Sequence, residues 1–259
     1  MAGDYVWYEL ITPDPQASKT FYGNVVGWTY SGSEHDGYFH LTTSDGEHAG
    51  GMAQLTAEMQ ARGARPVWLG YIHVTDVDAE VEAIEREGGR VQMPAIDLAN
   101  VGRIAMVTDP QGAPFYVINP IPPADKPDAK STAFSVDAAQ HVRWNELSTS
   151  DADAAVAFYT GHFGWVQEGD LDMGEMGKYR FIHKDGIGLG AIMPKHPEMP
   201  ASSWSYYIGV ADIDLAAKAI EAGGGKIIMG PMEIPGGEFA LNGIDPQGAS
   251  FGLVGPRKE

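Results

Sequence analysis

The sequence predicts an α+β fold made of four βαβββ modules, joined as two domains in tandem. Three observations carry this: a repeat over most of the chain, a strand-helix-strands order found twice in each copy, and a proline-containing break between the copies. The repeat is the firmest. VWYELITPDPQASKTFYGNVVGW, from Val6, is echoed by VRWNELSTSDADAAVAFYTGHFGW, from Val142. Trp7 matches Trp144, Glu9 matches Glu146, Phe21–Tyr22 match Phe158–Tyr159 and Gly27–Trp28 match Gly164–Trp165, all 137 positions apart. Trp68 with Trp204, Tyr71 with Tyr207, Asp76 with Asp212, and DPQGAPF from Asp109 with DPQGASF from Asp245 follow at an offset of 136. A fixed period of this kind is sought before any local assignment, because each unit must share its neighbour's fold.

Within the first copy, residues 5–11 are rich in aromatic and branched side chains and read as a strand. Alternation places Trp7, Glu9 and Ile11 on one face and Tyr8 and Leu10 on the other. Thr12 is the expected N-cap of the following helix, with Pro13 in its first turn and Asp14 at the positive dipole end. Ala17, Thr20 and Phe21 recur at helical spacing up to Gly23. Short strands come next, near 38–43 and 49–55, with Ser44-Asp45-Gly46 as the turn between them. The order then restarts. WLGYIHV is a strand, residues 77–87 form a helix stopped by Gly88–Gly89, and strands follow near 90–93, 102–108 and 114–118. Asp109-Pro110-Gln111-Gly112 makes the last hairpin turn.

Between the copies, IPPADKPDAKSTAFSVDAAQ carries three prolines and no sustained apolar period, which reads as an extended linker. The expected layout is domain one at 1–122 (modules 5–56 and 66–120), a linker at 123–138, and domain two at 139–259 (modules 141–194 and 202–256).

Composition narrows the function classes. Hydrophobic residues make up 44% of 259, enough for a sizeable core. Lys and Arg total 17 against 35 Asp and Glu, a formal charge of −18 that repels phosphate backbones and anionic membranes. Neither nucleic acid nor membrane is an expected partner. The absence of cysteine excludes disulfides, thiolate metal sites and a cysteine nucleophile. MAGDYVWYEL lacks the basic and apolar regions of a secretory signal, and no apolar run is long enough to span a bilayer. A cytoplasmic location is expected.

FYGNVVGW and FYTGHFGW after the first helix, VTDVDA and VADIDL opening the second, the Gly-Gly turn, and DPQG before the final strand together resemble the vicinal oxygen chelate superfamily. That superfamily includes glyoxalase I, bleomycin-resistance proteins and extradiol dioxygenases. More narrowly, the chain is similar to bacterial two-domain glyoxalase-like proteins whose copies open with a W-x-E/D-L-x-T-x-D strand. The resemblance spans nearly everything outside the linker. It implies, for members with metal chemistry, ligands near the start of each module's first strand and a Glu on the last strand, four residues past the turn glycine. Those positions hold Trp7, Leu69, Trp144 and Ser205, and then Tyr116 and Gly252. Indole, isobutyl and their like offer a metal no imidazole or carboxylate donor.

The residues then suggest a small-molecule cavity walled by Trp7, Tyr71, Tyr116, Trp144 and Tyr207, with Glu9 and Glu146 as the polar groups inside. A carboxylate among rings has its pKa pushed up, which suits ligand contact or proton transfer. The same carboxylates could instead pair with a buried Arg, Tyr or backbone amide, and the rings could be plain core. Trp28 and Trp165 read as core. Of the histidines, His35, His40, His48 and His73 fall in the first copy and His141, His162, His183 and His196 in the second; none pair across the repeat. A first-copy site using His73 with Glu9 or His40 stays open. GIGLGAI runs into Met193-Pro194, so it reads as a strand with close backbone approach, and the charges from Glu80 to Glu87 read as a solvated helix face.

The leading expectation is a small-molecule binding protein of the glyoxalase/bleomycin-resistance type, with no cofactor and no metal ligand. The alternative is a metal-dependent lyase or dioxygenase of that superfamily, which would bring a divalent metal. A third is a metal-free isomerase or lyase in which Glu9 or Glu146 moves a proton. With two modules per copy, the chain is expected to be a pseudo-dimer, as a monomer or a homodimer.

Overall fold

The structure, a computed structural model, describes residues 2–32, 37–122 and 129–258. His35 and the linker residues 123–128 lie outside the described residues. The first copy runs β1 (Tyr5–Thr12), α1 (Pro15–Val25), β2 (Thr29–Gly32), β3 (Tyr38–Thr42), β4 (His48–Gln54), a short α2 (Ala57–Ala61), β5 (Val67–His73), α3 (Val77–Arg86), β6 (Arg90–Leu98), β7 (Gly102–Thr108) and β8 (Pro114–Pro120). The second copy runs β9 (Val142–Thr149), α4 (Ala152–Phe163), β10 (Val166–Asp172), β11 (Lys178–Lys184), β12 (Ile187–Pro194), β13 (Ser203–Gly209), α5 (Ile213–Ala222), β14 (Lys226–Glu233), β15 (Phe239–Ile244) and β16 (Ser250–Gly255). The α+β expectation of four βαβββ modules holds.

Among the described residues these strands form two eight-stranded mixed sheets, ordered β2-β3-β4-β1-β5-β8-β7-β6 and β10-β11-β12-β9-β13-β16-β15-β14. In every module the first strand pairs in parallel with the last, because a helix returns the chain before the strands meander back. Gly50 and Gly190 permit that pairing. A β-carbon on either would fall on the carbonyl of Tyr8 or of Asn145 in the neighbouring strand, so the GIGLGAI segment is the close-approach strand expected.

Aspartates open all four long helices. Asp14, Asp76, Asp151 and Asp212 accept from the backbone amides of Ala17, Ala79, Ala154 and Leu215 at 3.0–3.2 Å. The expected cap at Thr12 is thereby corrected. Thr12 ends β1 fully buried, its carbonyl accepts from Leu55, and its hydroxyl meets Ser18 at 2.8 Å, so Pro15 takes the first helical turn. The strand expected to stop near Met93 continues to Leu98, because Pro94 sits inside a register shift between Met93 and Ile96, where no ladder donor is needed. The short α2 was not foreseen; Thr56 caps it.

Two compact units emerge, each drawing one module from each copy. Unit I comprises residues 1–6, 70–131 and 144–204; unit II comprises 7–69, 132–143 and 205–259. The motifs that repeat turn out to be the fasteners within each unit. In unit II, Tyr22 of the FY pair is fully buried; it donates to Asp245 Oδ2 at 3.0 Å and accepts from Trp68 Nε1 at 3.0 Å. In unit I, Tyr159 donates to Asp109 Oδ2 at 3.1 Å and accepts from Trp204 Nε1 at 2.9 Å. FY from one copy is therefore tied to DPQG of the other. Burial pushes both aspartates above the usual carboxylate range, against the backbone amides and the phenol that donate to them. Burial and the Asp245 charge push the Tyr22 phenol upward too. Trp28 and Trp165 are core as expected, donating to the carbonyls of Gln140 and Gly3. The end of the expected linker is packed: Ala133 is buried, and Ser135 and Ala133 bond to Val142.

The α3 charges are only partly solvated, which corrects the expectation. Inside unit I, His162 of α4 is 5% exposed and lies 2.6 Å from Glu80 and 3.2 Å from Glu87. Burial works to lower the His162 pKa, but the Glu80 hydrogen bond and the two glutamate charges outweigh it and raise the value. A raised folded value means the contribution is complete below the unfolded pKa of about 6.5 and is lost as pH climbs through the folded value. Stability should therefore fall on the alkaline side of about pH 6.5, with a slope under about 1.4 kcal/mol per pH unit. Urea titrations across that range check this: His162→Val, the residue at the matching position Val25, should flatten the slope, and an unchanged slope would refute the pairing.

Candidate functional site

In unit II, β1, β4 and β3 lie side by side and set Glu9, Gly51 and His40 in one cross-strand row. Directly paired residues share a face, so Glu9 and His40 point the same way with a glycine between them. The phenol of Tyr38 lies over Gly51, where any β-carbon would collide with it. Trp7 Nε1 donates to Tyr38 Oη at 2.8 Å. His40 and His48 meet edge-on at 4.9 Å, and the Trp7 ring is 5.8 Å from His40 and 6.3 Å from His48. Glu9 is 6% exposed, whereas His48 is exposed. Burial, and then the charge of His48, hold the His40 imidazole below its ordinary value. Also in unit II, Tyr207 exchanges hydrogen bonds with Asn242 and lies flat over Gly252, where a β-carbon would sit 2.6 Å from the ring.

In unit I, Trp144 Nε1 donates to Tyr179 Oη at 2.6 Å, and Tyr179 donates to Glu146 Oε2 at 2.8 Å. Glu146 thus has a tyrosine partner, the structural role weighed for it. Phe181 packs edge-on against Trp144 at 6.2 Å, and Gly188 lies beside the same indole. Tyr71 and Tyr116, paired across β5 and β8, stack at 4.2 Å and 8°. His73 is held in unit I by backbone pairing with Gly3 and Asp4.

The named walls and carboxylates are therefore divided by unit: Trp7, Glu9 and Tyr207 in one, Tyr71, Tyr116, Trp144 and Glu146 in the other. Tyr38, Tyr179, Asn242 and the His40–His48 pair went unread. A signal existed. Tyr38 and Tyr179 are 141 positions apart, shifted from the 137 offset by extra residues around the Gly174–Met176 turn.

The donor positions implied by the resemblance do not fit a divalent metal. Trp7 and Trp144 present N–H groups already given to phenols, Leu69 is fully buried, Tyr116 is stacked, and Gly252 is roofed by Tyr207. Among the described residues no three His, Cys, Asp or Glu side chains converge in a way that could hold a metal ion. No helix among them is long and apolar enough to cross a membrane.

Residues 5–117 and 138–252 match the Glyoxalase/Bleomycin resistance protein/Dioxygenase superfamily. A Mycobacterium tuberculosis protein named "Putative glyoxylase CFP32" is 33% identical over 96% of this chain and 94% of its own. The "Anthracycline biosynthesis protein DauV" of Streptomyces sp. (strain C5) is 27% identical over 97% of this chain and 93% of its own. Among solved structures, the Mn(II)-bound glyoxalase from Novosphingobium aromaticivorans has a TM-score of 0.65 at 19% identity, covering 100% of this chain and 83% of that one. An extradiol ring-cleaving dioxygenase from B. fuscum has a TM-score of 0.66 at 16% identity, covering 98% of this chain and 72% of that one. Those two likenesses are of fold. With matches spanning both copies and a relative this similar end to end, the chain belongs to the Glyoxalase/Bleomycin resistance protein/Dioxygenase superfamily as a tandem two-domain member.

Proposed function

We propose that the protein binds a flat aromatic small molecule against its indole and phenol walls, without a metal. The observation that carries this reading is the fixing of Trp7 and Trp144 by phenols at positions where the superfamily's metal chemistry would need donors. An indole whose N–H is already bonded is held in one orientation and offers stacking area at little conformational cost. Tyr71, Tyr116 and Tyr207, only 6–7% exposed, would back the walls with further rings, and Glu9 and Glu146 would be the hydrogen-bond acceptors that orient a ligand. The relative named for anthracycline biosynthesis agrees with a fused-ring ligand class. Each unit would hold one hollow, with Trp7, Glu9 and Tyr207 at one and Tyr71, Tyr116, Trp144 and Glu146 at the other. The chain would act as a cytoplasmic pseudo-dimer, itself monomeric or paired.

A thermal-shift screen of polycyclic aromatics in EDTA tests it. We expect hits that raise the melting temperature equally with and without chelator. Stabilisation that vanishes in EDTA and returns with manganese or zinc would replace this reading with the metal-dependent lyase or dioxygenase.

A further inference from the structure

Each unit joins one helix from each copy, α3 with α4 in unit I and α1 with α5 in unit II, and the two junctions differ in chemistry at matched positions. In unit II the junction is apolar. Phe21 and Val25 of α1 and Ala216 of α5 are buried, and a β-carbon on Gly223 or Gly225 would fall 2.9 or 2.8 Å from the Phe21 ring. In unit I the positions of Val25, Ala216 and Gly223 hold His162, Glu80 and Glu87. Phe158, the counterpart of Phe21, meets the imidazole at 4.4 Å. Unit II therefore closes the same helix pair with no ionisable group at any of the three places.

The triad of unit I depends on a proton. His162 Nδ1 lies 2.6 Å from Glu80 and Nε2 lies 3.2 Å from Glu87, with the side chain 5% exposed. A neutral imidazole has one N–H, so it can donate to one carboxylate while turning a lone pair on the other. Only the imidazolium serves both. Glu87 depends on it more, because it caps the C-terminus of α3, where the helix dipole opposes an anion. The charged groups that face the ring are these two glutamates of α3; its own helix presents Phe158 and Phe163.

We infer that the α3–α4 junction of unit I is a proton-dependent latch: the imidazolium of His162 holds both glutamates, and loss of its second N–H proton to solvent frees the C-terminal turn of α3, while the α1–α5 junction of unit II stays shut at any such pH. The release is local. Val77 and Ile84 remain seated in the core, so the turn after Ile84 is the part that opens. That turn is closed by the amides of Glu87, Gly88 and Gly89, which donate to Ala83, Glu85 and Ile84 at 3.2, 3.1 and 2.9 Å. Gly223, Gly224 and Gly225 make the matching bonds at 2.9, 3.1 and 2.9 Å, which gives the molecule its own control.

Amide hydrogen exchange of the full chain, read residue by residue by NMR and corrected for intrinsic rates, tests the latch. Between about pH 6 and about pH 8.5 the Glu87, Gly88 and Gly89 amides should lose about tenfold in protection, and those of Gly223–Gly225 less than about twofold. His162→Gln, which donates to a carboxylate without titrating, should abolish the difference between the two pH values at the α3 turn. Equal changes at the two turns in the wild type, a comparison that needs no variant to fold, would overturn the latch. A tenfold loss at the α3 turn that persists in His162→Gln would overturn it too.

Discussion

Asp245→Ala should cost about 3–5 kcal/mol, since the Tyr22 hydroxyl and two backbone amides each lose a buried acceptor at about 1–3 kcal/mol apiece. Asp245 is 4% exposed, and its Oδ1 accepts from Ala249 and Gln247 at 2.9 Å while Oδ2 accepts from Tyr22. Alanine would leave those donors in a dry interior with nothing to meet them. The damage reaches further than a turn, since Tyr22 is also the acceptor for Trp68 and packs edge-on against it at 5.5 Å. With a melting-temperature shift of about 2–4 °C per kcal/mol for a chain near this size, a drop of roughly 6–20 °C is expected by calorimetry. Asp245→Asn should lose less. The amide oxygen still serves the backbone donors, and burial already penalises the ionised carboxylate. The sign follows from the raised value: the carboxyl's contribution is complete below the unfolded pKa of about 3.9 and declines as pH rises through the folded one, an acid-side dependence that asparagine should abolish. An alanine variant melting within about 2 °C of wild type would show that the FY–DPQG tie does not hold unit II together.

Gly190→Ala should be similarly damaging, by about 3 kcal/mol or more, for a reason of geometry alone. Its β-carbon would land on the Asn145 carbonyl in the adjacent parallel strand, and the backbone there is fixed by the register Asn145↔Gly190 and by the buried Asn145 amide bonded to Leu189. Neither strand can yield without breaking the ladder. Gly188 lies two residues away on the same strand, yet a β-carbon there meets Trp144 at an ordinary 3.5 Å. Gly188→Ala should therefore change stability by less than about 0.5 kcal/mol. Chemical denaturation of the pair decides the matter; equal effects at both positions would mean that the close approach of β9 and β12 is not as described.

The architecture was readable because its determinants are local and stated twice. Alternation at Trp7, Glu9 and Ile11, the Gly88–Gly89 stop and the DPQG turn each act within a few residues, and the repeat confirms one copy by the other. The unread features depend on distance along the chain. Nothing near Tyr22 says that its phenol will meet Asp245, 223 residues away in the other copy. Glu80 looks like surface until α4 brings His162 against it. The candidate site shows the same split. Trp7, Glu9, Trp144 and Glu146 could be named because they recur on a strand face. Tyr38 and Tyr179 escaped because the insertion in the second copy moved β11 out of step with β3, and His40, named only as a partner for His73, has no histidine opposite it in the repeat to mark it. Even Glu9 and Glu146, a matched pair by sequence, have neighbours of different chemistry: His40 lies in the row of one and Phe181 in the row of the other.

Elemental analysis of the protein, purified without a histidine tag and without added chelator, bears most directly on a ligand hollow that works without a metal. Walls of indole, phenol and aliphatic side chains call for less than about a tenth of an equivalent of any transition metal per chain. Close to one tightly held equivalent of manganese, iron, zinc or nickel would contradict it.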